Sequence, residues 1–221
     1  MKYQLIVFFG PPGSGKGTQA RILDTEYKYV QLGMSDMLLE SVKNHQDIKS
    51  EQKMIERIEK DFDSGDLVAF EDVVYIMELN FVKNIRNDKK ITLDGFPRTE
   101  NQALWLSGLI TKEKVRTLLI HFDLGLDIVL DRIENRFFLK SSNKIFSSYD
   151  NAKKEAINGE EPFRRNLDLD TKIIKKRYNE QYYNEKDQII KAIESNTFVD
   201  FVSINANDDI KDISKIIKDN L

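Results

Sequence analysis

The sequence predicts an α/β fold around a parallel sheet, and three observations carry that reading. The first is a buried-strand signal, Leu5-Ile6-Val7-Phe8-Phe9, running straight into a glycine-rich loop and then a helical stretch. The second is a recurrence of short apolar runs at Ile91-Thr92-Leu93, Thr117 to Phe122 and Thr197 to Ile204, with a shorter one at Val30-Gln31-Leu32. The third is that long segments with helical spacing separate these runs, and a β-α-β-α alternation is the signature of crossover-connected parallel strands. A chain of 221 residues is long enough for one good core, or one core with inserted subdomains, and too short for several large domains.

Taken in order, the first loop is Gly10-Pro11-Pro12-Gly13-Ser14-Gly15-Lys16-Gly17-Thr18. A glycine-rich turn alone can bind nothing. The spacing Gly-x4-Gly-Lys between a buried strand and a helix is different, because successive backbone N–H groups can then point into one concavity at the helix's positive end. Lys16 adds a cation for β- and γ-phosphates, with Gly13, Ser14, Gly15 and Gly17 lining the same loop. The usual Ser/Thr after the lysine is Gly17, so Thr18 is the expected hydroxyl near a nucleotide's magnesium.

From Ser35 to about Asn87 the periodicity gives consecutive helices with no convincing strand, Ser35 as the first N-cap and Ser64-Gly65-Asp66 as a break. The strand that follows ends at Asp94-Gly95-Phe96-Pro97-Arg98-Thr99. Asp-Gly-x-Pro by itself is an ordinary turn. Beside a phosphate loop, Asp94 at a strand's carboxyl end sits where magnesium takes a carboxylate, directly or through water, and Arg98 offers a planar fork to a second phosphate. Arg132 and Arg136 then fall at the i, i+4 spacing of one helix face. Phe137 to about Arg165 is an irregular excursion with turn signals at Ser141-Ser142-Asn143 and Asn158-Gly159, a candidate lid flanked by arginines. Lys175 and Lys176 read as surface charge beside Arg177. The tail from Asp208, with Ile210, Ile213, Ile216 and Ile217, predicts a core-packing helix.

Composition narrows the function classes. A net charge of -3 with 34 basic and 37 acidic residues lacks the basic excess of a general nucleic-acid binder. No apolar run approaches the ~18 residues of a membrane span. With no cysteine, disulfides and cysteine-ligated zinc are excluded, and a reducing, cytoplasmic setting is the expectation. His45 and His121 are isolated and make no metal site.

These residues resemble the adenylate kinase family of nucleoside monophosphate kinases. The resemblance rests on Gly10 to Gln19, Asp94 to Thr99, Gln102 and the Asp-Arg-Ile-x-x-Arg run at 131–136, and it spans most of the chain. It implies a P-loop three-layer α/β/α fold with a five-stranded parallel sheet, divided as core 1–34, helical monophosphate-binding insertion 35–87, core 88–136, lid 137–165 and core 166–221. It implies reversible γ-phosphoryl transfer from magnesium ATP to a nucleoside monophosphate, AMP in the namesake members, by a monomer without nucleic-acid or membrane partners and without zinc. In that scheme Lys16, Arg98, Arg136, Arg165 and Arg177 act on the migrating phosphoryl group, with Arg164 an alternative to Arg165. Arg132 and Phe146 contact the donor; Ser35, Leu39, Leu67, Val68, Gly95, Arg98 and Gln102 line the acceptor site; Thr18 and Asp94 serve the magnesium; Asp168 matches an acidic residue at the lid hinge.

The acceptor half departs from the pattern. Where the family reads Thr-Gly-Asp-x-x-Arg, this chain reads Met34-Ser35-Asp36-Met37-Leu38-Leu39. Losing one bidentate arginine–phosphate pair costs ~1.5–3 kcal/mol, one to two orders of magnitude in binding, so the site is weakened while Arg98 remains. Lys43 and Lys53, in an insertion lengthened around His45 to Phe62, are candidate substitutes, each otherwise a solvated lysine. Two alternatives stay open: another acceptor or donor (UMP, CMP, dAMP or GTP), and a nucleotide-binding paralogue without catalysis.

Overall fold

The structure is a computed structural model and describes residues 2–45, 52–142 and 144–221. β1 (Leu5–Phe9) leads through the glycine-rich loop to α1 (Lys16–Tyr27) and β2 (Val30–Gly33). A helical block of α2 (Met34–His45), α3 (Gln52–Ser64) and α4 (Phe70–Ile85) follows, then β3 (Ile91–Asp94), α5 (Glu100–Glu113), β4 (Thr117–Asp123) and α6 (Leu126–Glu134). A ribbon of β5 (Phe137–Phe138) and β6 (Ile145–Phe146) with α7 (Tyr149–Glu155) comes next, and α8 (Thr171–Tyr178), α9 (Lys186–Glu194), β7 (Val199–Asn205) and α10 (Ile210–Asp219) complete the chain.

The large sheet has the order β2-β3-β1-β4-β7, all parallel. All of β1, and β4 from Thr117 to Phe122, is buried, which is why these strands read as unbroken apolar runs. Right-handed crossovers fix the layers. The β1-α1-β2 connection moves one way along the sheet and β3-α5-β4 the other, so α1 and α5 cover opposite faces. α5 packs on α9 and α1 on α10, completing three layers. The chain direction reverses at β1, and the carboxyl ends of β1, β3 and β4 open onto one crevice.

Several local expectations are corrected. Ser35 does not cap α2, which starts at Met34 immediately after β2. Gly33 leaves room for the Asp36 carboxylate of the helix's first turn, one oxygen of which lies 2.8 Å from where a Cβ would sit. Arg136 shares no helix face with Arg132: α6 stops at Glu134, where the Asn135 amide turns back to the Asp131 carbonyl at 3.0 Å. Of the tail isoleucines, Ile213 and Ile217 are buried and Ile216 packs partly against the core, but Ile210 opens α10 and is 59% exposed. β7 begins at Val199, two residues later than the apolar run, since the Asn196 side-chain oxygen holds the Phe198 N–H in a turn at 3.0 Å. Gly65 breaks the helical block where expected, with φ of 71°. The excursion after α6 is more ordered than its sequence suggests: Leu139, Phe146 and Ala152 make a small core of their own.

Candidate active site

The glycine-rich loop takes its shape from close packing. A Cβ on Gly10 would lie 2.6 Å from the Phe122 carbonyl oxygen, so only glycine lets the loop pass over β4. Gly15, at φ of 89°, precedes α1 and has no side chain to cap it. Among the described residues, no acceptor meets the backbone N–H groups of Gly15, Lys16 and Gly17. They form an anion-ready helix terminus. The Lys16 ammonium folds into this cradle, donating to the carbonyls of Gly10 (2.9 Å) and Pro11 (2.7 Å) and to the Ser14 hydroxyl (3.2 Å). Burial pulls its pKa down to about 8; Arg98, Arg177 and Arg136 add to the shift and Asp94 opposes it.

At the end of β3, Asp94 lies against the loop, with one carboxylate oxygen 3.4 Å from where a Gly17 Cβ would be. Burial raises its pKa, while Lys16 and Arg98 lower it. Thr99 caps α5 by accepting the Gln102 N–H at 3.3 Å, which anchors the turn carrying Arg98. The Arg98 backbone N–H is held by the Gln102 side-chain oxygen (2.8 Å), its Nε donates to the Gly95 carbonyl (2.9 Å) and its Nη1 to Gln181 Oε1 (3.2 Å). For magnesium, the oxygen donors at hand are the Asp94 carboxylate and the Thr18 hydroxyl, which line the same cavity. That set fits a hard cation that takes one or two protein oxygens and completes its shell with water and phosphate.

The remaining cations come from the far side of the crevice. Arg136 makes a two-pronged ion pair with Asp168 at 2.5 and 3.1 Å, and Asp168 is 1% exposed. Arg132 reaches back to the Gly13 carbonyl at 3.4 Å. Arg164 donates to the Asp168 carbonyl (2.6 Å), whereas Arg165 lies 4.2 Å over the Phe138 ring, a ring that also carries Arg136 at 5.4 Å. Arg177 has no hydrogen bond or ion pair among the described residues. Burial brings its pKa down to about 10, and Arg98 and Arg136 push the same way.

Lys16, Arg98, Arg136, Arg165 and Arg177 thus line one cavity of about 1750 Å³, as do Arg132, Phe146, Thr18 and Asp94. Phe146 is only 8% exposed and belongs mainly to the small core beside α7. Ser35, Leu67, Val68, Gly95, Arg98 and Gln102 meet around an adjoining side pocket of about 40 Å³. Leu39 is absent from that pocket; it lines the large cavity and is 40% exposed. Lys53 is exposed on α3, and Lys43 and His45 have side chains outside the described set. His121 is structural, its ring nitrogens 3.0 Å from the Ser203 and Tyr182 hydroxyls. Sequence reasoning missed Phe138 and Gln181. Gln181 lies four residues after Arg177, a spacing that could have drawn attention to it.

Sheet order, phosphate loop and converging arginines define a P-loop α/β protein with a mononucleotide cleft and an adjoining smaller pocket. The adenylate kinase family model matches residues 8–198. The chain is 32% identical to an adenylate kinase of Buchnera aphidicola over 216 residues, covering 96% of this chain and 94% of that protein. It is 28% identical to one from Rickettsia rickettsii over 222 residues, covering 98% and 100%. With one from Borreliella burgdorferi the identity is 35% over 145 residues, 65% of this chain and 63% of that protein. The chain belongs to the adenylate kinase family, and by that membership is a nucleoside monophosphate kinase, a phosphotransferase. No helix among the described residues is long and apolar enough to cross a membrane.

Proposed function

We propose that this protein catalyses reversible, magnesium-dependent transfer of the γ-phosphoryl group of ATP to AMP, giving two ADP. One observation carries the reading: four cations crowd one locus without enough anions to match them. Besides burial, Arg98, Arg177 and Arg136 lower the pKa of Lys16 against Asp94, and Arg98 and Arg136 lower that of Arg177 against Asp168. Such a cluster is stabilised by a polyanion, and a transferring phosphoryl group flanked by two more phosphates is one.

In this scheme ATP's phosphates take the unpaired N–H groups of the loop, and Lys16 exchanges its loop carbonyls for phosphate oxygens. AMP's base lies toward Gln102, and Arg98 holds its α-phosphate. An oxygen of that phosphate, already ionised, attacks the γ-phosphorus; the bond from γ-phosphorus to the bridging oxygen breaks and ADP leaves, so no general base is required. Arg136, Arg165 and Arg177 meet charge on the equatorial oxygens. Asp94 and Thr18 would hold magnesium, which supplies charge neutralisation between the phosphates. Residues 35–87 act as the acceptor-binding unit and 137–165 as a lid, in a cytoplasmic monomer.

The test is coupled detection of ADP with ATP and AMP, with Lys16→Ala as control. Wild-type turnover no higher than that control sinks the reading. Leu39, an apolar side chain where the family places an arginine, favours a second reading in which the acceptor is UMP, CMP or dAMP. A monophosphate panel under the same conditions separates the two.

A further inference from the structure

Gln181 makes two contacts that link parts of the site far apart in sequence. Its Oε1 accepts from Arg98 Nη1 at 3.2 Å and its Nε2 donates to the Gly65 carbonyl at 2.9 Å. The amide can sit only this way round, since Arg98 offers donors alone and a carbonyl accepts alone. The residue is 9% exposed and lies in a wide π-helical turn, Asn179–Tyr183, directly after α8. Such turns break the regular register and redirect a side chain.

Gly65 is the turn at the end of α3, and it is seated on the core beside α8. A Cβ there would come within 3.2 Å of Ile173 and 3.3 Å of Leu167, so the turn approaches as closely as a glycine allows. Next to it Asp66 pairs with Lys176 of α8, an exposed ion pair that adds little by itself. The buried polar link between the helical block and the core at this point is therefore the Gln181 amide.

We propose that Gln181 is a positioning residue that couples seating of the helical block to the orientation of Arg98. This rests on the kinase reading above, in which Arg98 clamps the acceptor phosphate. With Gly65 seated, Nε2 is engaged and Oε1 is presented to Arg98, holding its guanidinium toward the crevice; with Gly65 withdrawn, the amide loses its anchor and Arg98 a fixed partner. Leu39 raises the importance of the device, because no arginine at position 39 shares the phosphate with Arg98.

Two variants test it. Gln181→Met keeps the bulk and removes both polar contacts; Gln181→Glu keeps an acceptor for Arg98 and sets an oxygen against the Gly65 carbonyl. The expected result for Gln181→Met is a rise of ~3- to 10-fold in KM for AMP, with KM for ATP unchanged, the net worth of about one hydrogen bond. A merely structural residue would lower kcat or raise both KM values together. Because the chain has no cysteine, Glu56→Cys and Lys191→Cys accept spin labels cleanly on α3 and α9. The distance distribution between them, in protein without nucleotide, should lengthen or broaden in both variants. Unchanged distances together with an unchanged KM for AMP overturn the proposal. If the wild type phosphorylates no monophosphate, the kinase reading fails, and the label distances still decide whether Gln181 holds the helical block.

Discussion

Lys16 keeps its proton only to about pH 8 in the cleft without nucleotide, against 10.5 for an unperturbed lysine, because the cleft desolvates it and Arg98, Arg177 and Arg136 repel it. A bound triphosphate reverses the environment, so the protonated form is favoured again. The fall from 10.5 to about 8 corresponds to a coupling of about 3 kcal/mol, water in the cleft screening part of it. The sign follows from linkage: binding takes up protons wherever the free site is deprotonated and the bound site is not. At pH 9 the uptake should be about 0.9 proton per ATP, and at pH 7 about 0.1. Titration calorimetry with magnesium ATP, in buffers of different ionisation enthalpy, reads these numbers as the slope of observed heat against buffer enthalpy. ATP is fully ionised at pH 9, and Arg177, at about 10, is still mostly charged, so Lys16 dominates. Lys16→Arg, charged throughout, should abolish the uptake at pH 9. A zero slope at pH 9 in the wild type, or an undiminished slope in Lys16→Arg, would refute the assignment of the low pKa to Lys16.

Leu39→Arg adds a guanidinium to the phosphate side of the cleft and should lower KM for AMP by about tenfold, leaving KM for ATP in place, as read by steady-state assay. Asp168→Asn leaves Arg136 without its charged partner in a largely buried setting and should cost about 3 kcal/mol, seen as a lower midpoint in urea unfolding with the slope unchanged. Gly10→Ala forces a Cβ to 2.6 Å from the Phe122 carbonyl; the thermal midpoint should fall by several degrees and ATP should give a smaller stabilisation than in wild type.

The parallel sheet and the phosphate loop were legible because both are written in consecutive residues. A strand buried on both faces must be apolar throughout, as Leu5 to Phe9 are, and a loop packed against the end of β4 must be glycine at Gly10. Helix ends were less legible, because they depend on which side chain competes for the backbone. The Asn135 amide, bonded to the Asp131 carbonyl, ended α6 before Arg136, and α2 began at Met34 with no gap after β2.

The set of charged residues in the site was therefore determined by the sequence, while their arrangement was not. Nothing in the spacing of Arg136 and Asp168, or of Arg165 and Phe138, announces an ion pair or a stacked guanidinium. Such contacts exist only after the chain has brought the ends of β1, β3 and β4 to one edge and folded the segment after α6 over them. The Gln181 bridge between Arg98 and Gly65 is the extreme case, spanning 83 residues one way and 116 the other. Backbone stereochemistry and hydrophobic period are local properties that a sequence displays directly, whereas the partner of a buried polar group is chosen by packing across the whole chain.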